Sequence, residues 1–190
     1  ENELAFRRVE IEKNRKFAQE LLKEFNLIRT KPMIYLKKID AYQQTLKYMN
    51  NSLMLEIEGV SYPLNSSSSF DDLINYIDPC SELDPFEFKE ELVITLPKDV
   101  SLIQSYDYMA NQFVMKKLGL SNIYKNLMFH YDVNNRNAEL STLFQLIDDS
   151  NVNKQRRRNI LNRSYSCIGI SIERISKENF CSYIVFGETY

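Results

Sequence analysis

Two strand patterns at the end of the chain constrain its fold most strongly. In the first strand one face carries Tyr165, Cys167 and Gly169, and the other carries Ser166, Ile168, Ile170 and Ile172. A second strand, Phe180–Phe186, follows a polar turn at Ser176–Asn179, which predicts an antiparallel hairpin. Because β-branched and aromatic residues occupy both faces, we expect this hairpin in the middle of a sheet that is covered on both sides.

Helical patterns precede the hairpin. Between Val9 and Ile28, apolar residues recur at steps of three and four and predict an amphipathic helix; they are Phe17, Leu21, Leu22, Phe25 and Ile28. Pro32 is expected to begin a second helix, which runs to about Tyr48 and buries Met33, Leu36 and Ile39. Residues 1–8 lack the periodicity and predict a frayed lead-in, so residues 9–190 are expected to form a single domain.

The middle of the chain predicts short elements. Leu53–Leu64 alternates like a strand or hairpin, and its glutamates and Pro63 favour a sheet edge. The serines at 66–69 form a loop, and Ser69 is expected to cap a helix that buries Leu73, Ile74 and Ile77 before Pro79. The acidic residues 80–91 predict a surface connection, and Leu92–Leu96 predicts either a strand or a packed segment.

Two further helices are predicted before the hairpin. The first is long, from about Lys98 to Leu118, and ends at Gly119 because glycine favours the position after a helix. The second is short and buries Leu140, Leu143, Phe144 and Ile147. Helices followed by a terminal hairpin favour an α+β layered sandwich over an alternating parallel sheet.

Composition argues against several functions. The formal net charge of −2 provides no global field that would attract nucleic acid. No apolar run approaches the roughly 20 residues that span a bilayer. The three cysteines are odd in number, and Cys167 and Cys181 would not face each other, so we expect free, mostly buried thiols. The chain begins at Glu1 without an apolar leader, and we expect that an earlier segment has been removed.

Three separated segments carry a family resemblance. They are Asn26-x-x-Arg29-x-x-Pro32-x-x-Tyr35 after Leu21-Leu22, Arg157-x-Asn159-Ile160-Leu161-Asn162 followed by Ile168-Gly169-Ile170, and Phe186-Gly187. On these segments the chain resembles the CAP superfamily (cysteine-rich secretory proteins, antigen 5, pathogenesis-related 1), most closely its bacterial members. The resemblance implies a three-layer α-β-α sandwich with a central, mainly antiparallel sheet and a cleft along one side.

The resemblance also implies what this cleft has lost. In many CAP proteins two histidines and two acidic residues line the cleft and hold a divalent metal. Here Arg156 occupies the late histidine position, and Asn134-Asn135 replaces the bacterial Glu-Asn pair. Because a guanidinium does not ligate metals, we expect no metal and no other cofactor. The candidate ligand cleft consists of His130, Asn134, Glu139 and Arg156.

Two alternatives concern catalysis and anion binding. A serine or cysteine nucleophile would need His130 as its base, and no motif places one beside it. A metal-dependent hydrolase with a reduced site around His130 and Glu139 remains the alternative to a non-enzymatic protein. Lys154, Arg156, Arg157 and Arg158 form a candidate anion patch, although Asp148 and Asp149 favour internal pairing.

These patterns favour a non-enzymatic outer-surface lipoprotein with a degenerate CAP-type cleft. A composition rich in Asn, Lys, Ile, Tyr and Phe is typical of an AT-rich genome and favours a spirochaete surface lipoprotein of this family. We expect a monomer whose only membrane attachment is an N-terminal lipid anchor outside this chain. A host molecule, a lipid or a sterol is the expected partner, and nucleic acid is not.

Overall fold

In the computed structural model, which describes residues 2–94, 119 and 122–190, helices accompany two β-sheets. The helices are α1 (Asn2–Thr30), α2 (Pro32–Gln43), α3 (Ser68–Ile77), α4 (Ala138–Ile147) and α5 (Gln155–Ile160), with a 3₁₀ turn at Glu90–Leu92. The strands are β1 (Leu46–Met49), β2 (Ser52–Ile57), β3 (Val60–Leu64), β4 (Glu87–Phe88), β5 (Tyr124–Asn134), β6 (Cys167–Arg174) and β7 (Phe180–Thr189). The protein therefore belongs to the α+β class, as the sequence predicted.

The main sheet has the strand order β4-β6-β7-β5. β6 and β7 form the predicted antiparallel hairpin at its centre, with β5 antiparallel to β7 and the two-residue β4 parallel to β6. Cys167 pairs with Gly187, whereas Cys181 pairs with Glu173, so the two cysteines do not face each other. All three thiols are free, and Cys167 and Cys181 are buried, as predicted.

Each face of the main sheet carries an apolar cluster. On one face Ile168, Ile170, Ile184 and Phe186 belong to the larger core, which includes residues of α1, α2, α3 and α4. On the other face Cys167, Cys181, Tyr183 and Val185 pack with Leu92 and Ile94. The helix predicted for Lys98–Leu118 lies outside the described residues, apart from the following Gly119 with its positive φ of 57°. Within the described chain, helices therefore cover the first face.

The first helix confirms its predicted apolar stripe but not its predicted start. Phe17, Leu21, Phe25 and Ile28 are buried, and Leu22 packs against them in part. α1 begins at Asn2 rather than at Val9, so residues 2–8 belong to this helix instead of forming a frayed lead-in. The first turns expose their apolar side chains, including Leu4 and Phe6.

The second helix ends earlier than predicted. α2 stops at Gln43, and Tyr48 lies in β1, which a turn at Asn50 and Asn51 joins to β2. Both asparagines have positive φ, which suits the two-residue turn of a hairpin. Tyr35, Leu36 and Ile39 are buried, but Met33 is 57 % exposed, so its predicted burial is wrong.

A second sheet has the order β1-β2-β3 and is antiparallel throughout. The predicted Leu53–Leu64 hairpin is confirmed as β2 and β3, which meet at Glu58 and Gly59, both with positive φ. β3, which contains Pro63, is an edge strand as expected. Because proline has no backbone N–H, β3 lacks a hydrogen-bond donor at position 63.

The connection between the two sheets differs from the prediction in detail. α3 begins after Ser67, and Ser69 lies inside the helix with its hydroxyl donating to Asp149 rather than capping. Leu73 and Ile77 are buried, and the helix ends before Pro79. Residues 80–91 contain the buried Phe86 and the short β4, and Leu92 and Ile94 form a packed segment.

Gly169 lies where the backbone at Leu92 crosses β6. A Cβ atom at this position would lie 2.3 Å from the carbonyl carbon of Leu92, a backbone atom that cannot move independently. Gly187 differs, because a Cβ there would meet a side-chain atom of Tyr124 at 2.7 Å rather than a backbone atom.

We expect Gly169→Ala to lower the free energy of unfolding by about 1–3 kcal/mol, because overpacking against backbone forces strands apart. Urea denaturation followed by circular dichroism measures this change. Gly187→Ala serves as the matched comparison, and its free energy of unfolding should fall by less. Equal losses in the two variants would contradict the prediction.

Candidate binding groove

His130 lies on β5 in a buried polar network beneath α4. Its Nε2 is 2.9 Å from Oε1 of Gln145, and its Nδ1 is 3.1 Å from Nδ2 of Asn159. These amides define the ring's roles, since Asn159 donates to Nδ1 and Nε2–H donates to Gln145. Burial and then the charge of Arg156 lower the pKa of His130 to about 3. The imidazole is therefore neutral near pH 7.

The network continues from Gln145 to a buried carboxylate. Gln145 Nε2 donates to Ser141 Oγ at 3.0 Å, and Ser141 Oγ donates to Asp132 Oδ2 at 2.6 Å. Asn134 Nδ2 donates to the same carboxylate oxygen at 3.1 Å. Burial raises the pKa of Asp132 to about 6, although the hydrogen bond from Ser141 opposes this rise. One continuous chain of hydrogen bonds thus joins the histidine to this carboxyl group.

Arg156 lies at the start of α5 and is held by two elements. Its Nη1 lies 2.8 Å from Oδ1 of Asp148, a residue with positive φ that follows α4. Its Nε donates to the backbone carbonyl of Tyr131 on β5 at 2.9 Å. The Asp148 side chain is fully buried, whereas that of Arg156 is 21 % exposed. The guanidinium is therefore held between Asp148 and β5, partly exposed at the surface.

Two adjoining cavities follow the outer edge of β5. The larger, of about 870 Å³, is lined by residues that include Pro63, Leu64, Tyr131, Asn151, Val152 and Arg156. The smaller, of about 330 Å³, is lined by residues that include Tyr62, Asn134, Ser141 and Glu178. Asp132, Val133 and Phe144 line both cavities. We call the combined space the β3–β5 groove, because β3 and β5 form its opposite walls and α4 lies between them.

The four residues predicted for a ligand cleft do not share one surface. Arg156 and Asn134 line the β3–β5 groove, and His130 is buried behind its wall. Glu139 lies in the first turn of α4, where it accepts a hydrogen bond from Tyr42 and lies 3.4 Å from Lys38. Gln145, the partner of His130, lies near the opposite end of α4. The predicted grouping of His130 with Glu139 is therefore not observed.

The predicted anion patch is also divided. Arg157 is 1 % exposed and turns inward, where Nε and Nη2 donate to the carbonyls of Leu146 and Ile147. Its Nη1 lies 2.9 Å from Oδ2 of Asp72. Since the last carbonyls of a helix have no partner within it, Arg157 satisfies the end of α4. This residue stabilises the fold and is not available to an anion.

The remaining basic residues face different surroundings. Lys154 donates to the carbonyl of Asp148 at 3.1 Å and lies 3.8 Å from Asp149. Arg156 is paired with Asp148, so the internal pairing that the flanking acids favoured is observed. Arg158 is exposed and has no ion-pair partner among the described residues. A single exposed arginine does not form the predicted patch.

Sequence reasoning missed the polar residues that hold His130. Ser141 and Gln145 lie four residues apart on one side of α4, within a helix that is otherwise largely apolar. Polar side chains at such spacing in a largely buried helix indicate an internal hydrogen-bond network. Asn159 belongs to a segment that carries the CAP resemblance, but the sequence does not indicate that its amide contacts His130.

The geometry defines an α+β domain with a polar groove at the edge of its main sheet. No family model, curated protein or solved structure matches the chain, and the CAP assignment remains a prediction. Across residues 2–94, 119 and 122–190, no three His, Cys, Asp or Glu side chains are placed to hold a metal ion. In the same residues no helix is both long and apolar enough to cross a membrane.

Asp132 makes stability depend on pH in a predictable direction. Its pKa is about 6 in the folded protein against an ordinary 3.8, so the folded state binds the proton more tightly. Stability therefore falls as pH rises between these values, and the loss is complete above pH 6. We expect Asp132→Asn to raise the free energy of unfolding at pH 7 by about 1–3 kcal/mol, and to have little effect near about pH 4.

Urea denaturation at both pH values tests this expectation. Asparagine keeps an oxygen that accepts the hydrogen bonds from Ser141 and Asn134, which limits other effects. Asp40→Asn on the exposed side of α2 is the control and should change neither value. A loss of stability at pH 7 in Asp132→Asn would contradict the prediction.

The titration of His130 makes stability depend on pH in the opposite direction. Its pKa is about 3 in the folded protein against an ordinary 6.5, so stability present above 6.5 is lost as pH falls towards 3. A glutamine at position 130 also accepts one hydrogen bond and donates another, but it does not titrate. As the pH falls from 7 to 4, the free energy of unfolding of His130→Gln should rise by about 2–3 kcal/mol relative to that of the unmodified protein. Urea denaturation at each pH measures this difference. A pH-independent difference would contradict this.

Proposed function

We propose that this protein is a non-enzymatic binding protein of CAP type, carried on the cell surface as a lipid-anchored lipoprotein, and that its ligand binds in the β3–β5 groove. One observation carries the non-enzymatic part of the proposal: both ring nitrogens of His130 are hydrogen-bonded to buried amides behind the groove wall. The groove itself presents Arg156, Asn134 and the edge of β5.

The chemistry of His130 supports binding over catalysis. A general base works best when its pKa lies near the operating pH, and the pKa of His130 is about 3. A metal ligand would need the Nδ1 lone pair, which accepts the hydrogen bond from Asn159. The ring lies behind the groove wall and supports it through these hydrogen bonds.

Contacts between the segments that carry the CAP resemblance support the CAP-type assignment. Arg29, in the first segment, donates to the carbonyls of Ile160 and Asn162 in the second at 3.0 and 2.9 Å. Ile168, in the second segment, pairs with Phe186 in the third. The three segments thus form one structural unit, which is what a shared family fold requires.

A binding panel tests the proposal. Phosphatidylcholine vesicles with and without cholesterol, a long-chain fatty acid and immobilised extracellular-matrix proteins would each be titrated with the purified protein. We expect saturable binding to at least one of these. Val152→Trp should weaken that binding about tenfold or more, because Val152 lines the groove and is 97 % exposed, so the fold tolerates a larger side chain.

Met33→Trp is the matched control, because Met33 is an exposed apolar residue of α2 that does not line the groove. Binding should be unchanged in this variant. Equal weakening in both variants would contradict a ligand in the groove. Turnover of ester or peptide substrates that depends on added zinc and is lost in His130→Gln would favour the hydrolase instead.

A further inference from the structure

Among the described residues, no strand pairs with the edge of β5 that faces the groove. β5 is an outer strand of the main sheet. In an antiparallel pair, successive residues direct their backbone groups alternately towards and away from the partner strand. The carbonyl of Tyr131 accepts a hydrogen bond from Arg156, which lies outside the sheet, so Tyr131 directs its backbone away from β7. Val133, two residues further along, has the same orientation.

The register of β7 supports this orientation independently. The N–H of Ser166 donates to the carbonyl of Gly187, so Gly187 directs its carbonyl away from β5. By the same alternation Cys181, six positions earlier on β7, also directs its backbone away from β5. Cys181 is the residue that pairs with Val133. The N–H and C=O of Val133 therefore point into the groove.

Val133 is accessible from the groove at the point where its two cavities meet. Its side chain is 46 % exposed and lines both cavities. The described residues provide no hydrogen-bond partner for its N–H or its C=O outside the strand ladder. On the opposite wall Pro63 has no N–H, which prevents β3 from closing the groove by regular pairing with β5. The groove thus offers one backbone donor and one acceptor to a ligand.

Opposite charges lie at the two ends of the groove. Arg156 is at the end near Tyr131, and its Nη2 has no hydrogen bond among the described residues. Asp149 at the same end already accepts from the hydroxyl of Ser69 and from the N–H of Asn65. Glu178 is exposed at the other end, without an ion-pair partner in the described part of the chain.

We propose that the groove binds a peptide in extended conformation, which adds a strand to the edge of β5 at Val133. Strand addition uses main-chain hydrogen bonds for affinity and side-chain contacts for specificity. An acidic residue of the peptide lies at Arg156 and a basic residue at Glu178. The peptide runs antiparallel to β5, so its basic residue precedes its acidic one. This inference rests on the proposed function, because it names the ligand class of the same groove.

The probe is a pair of fluorescein-labelled heptapeptide mixtures. One mixture has Lys first and Asp last, and the other has Asp first and Lys last. In both mixtures the five inner positions are varied among Val, Thr, Ile, Ser and Phe. Fluorescence anisotropy should show saturable binding, at least about fivefold tighter for the mixture that begins with Lys. Tighter binding of the reversed mixture would overturn the antiparallel assignment, and no binding of either would overturn the proposal.

Val133→Pro tests the main-chain hydrogen bond. Proline removes the N–H that points into the groove and leaves the β5–β7 ladder bonds intact, because proline is tolerated where the N–H faces away from the partner strand. We expect at least tenfold weaker peptide binding. Val133→Thr keeps the N–H and the β-branched shape, so it should bind within about twofold of the unmodified protein. Equal binding in the two variants would overturn strand addition.

Glu178→Lys tests the charge at the other end without relying on loss of binding. Among mixtures that end in Asp, the preferred first residue should change from Lys to Asp, a reversal that partial unfolding would not produce. Hydrogen exchange at the Val133 amide should slow when the Lys-first peptide is bound. An unchanged exchange rate would overturn the peptide proposal. The proposed function would still stand in that case if the protein bound lipid or sterol and Val152→Trp weakened that binding.

Discussion

A single buried guanidinium joins the parts of the chain on which the groove depends. Arg29 is 1 % exposed, stacks 3.8 Å above the Phe86 ring and donates to four backbone carbonyls, those of Asp84, Ile160, Asn162 and Tyr165. Burial lowers its pKa to about 10, with the charge of Asp84 opposing, so the group remains charged at neutral pH. The positive charge is stabilised by these four carbonyl dipoles, and that of Ile160 belongs to the last turn of α5, where carbonyls have no partner within the helix.

These contacts determine where α5 and β6 lie. Arg29 binds the chain at the end of α5 and just before β6, so the first helix fixes the connection between them. α5 in turn carries Arg156 to the groove and Asn159 to His130. Replacing Arg29 would leave several buried carbonyls without donors, and each such group costs about 1–3 kcal/mol. The groove is therefore coupled to a contact that lies outside it.

The sequence predicts the elements whose periodicity is regular and whose ends carry standard turn chemistry. The stripe from Phe17 to Ile28 and the β6–β7 hairpin are of this kind. β5 was not predicted, because Leu127, Met128 and Phe129 place consecutive apolar residues on both faces and remove the alternation of an edge strand. The partner of His130 could not be predicted either, since Asn159 reaches it only through the packing of α5 on β5.

Arg156 connects the groove to the charge states of the network behind it. Its permanent charge contributes to the low pKa of His130 and also favours the ionised form of Asp132. A neutral histidine at position 156 would remove both effects, so His130 would bind a proton more readily and Asp132 would ionise less readily. The arginine thus keeps the donors and acceptors of the wall in one arrangement near neutral pH. A fixed arrangement of this kind is what selective binding requires, because a ligand then meets the same polar groups at each encounter.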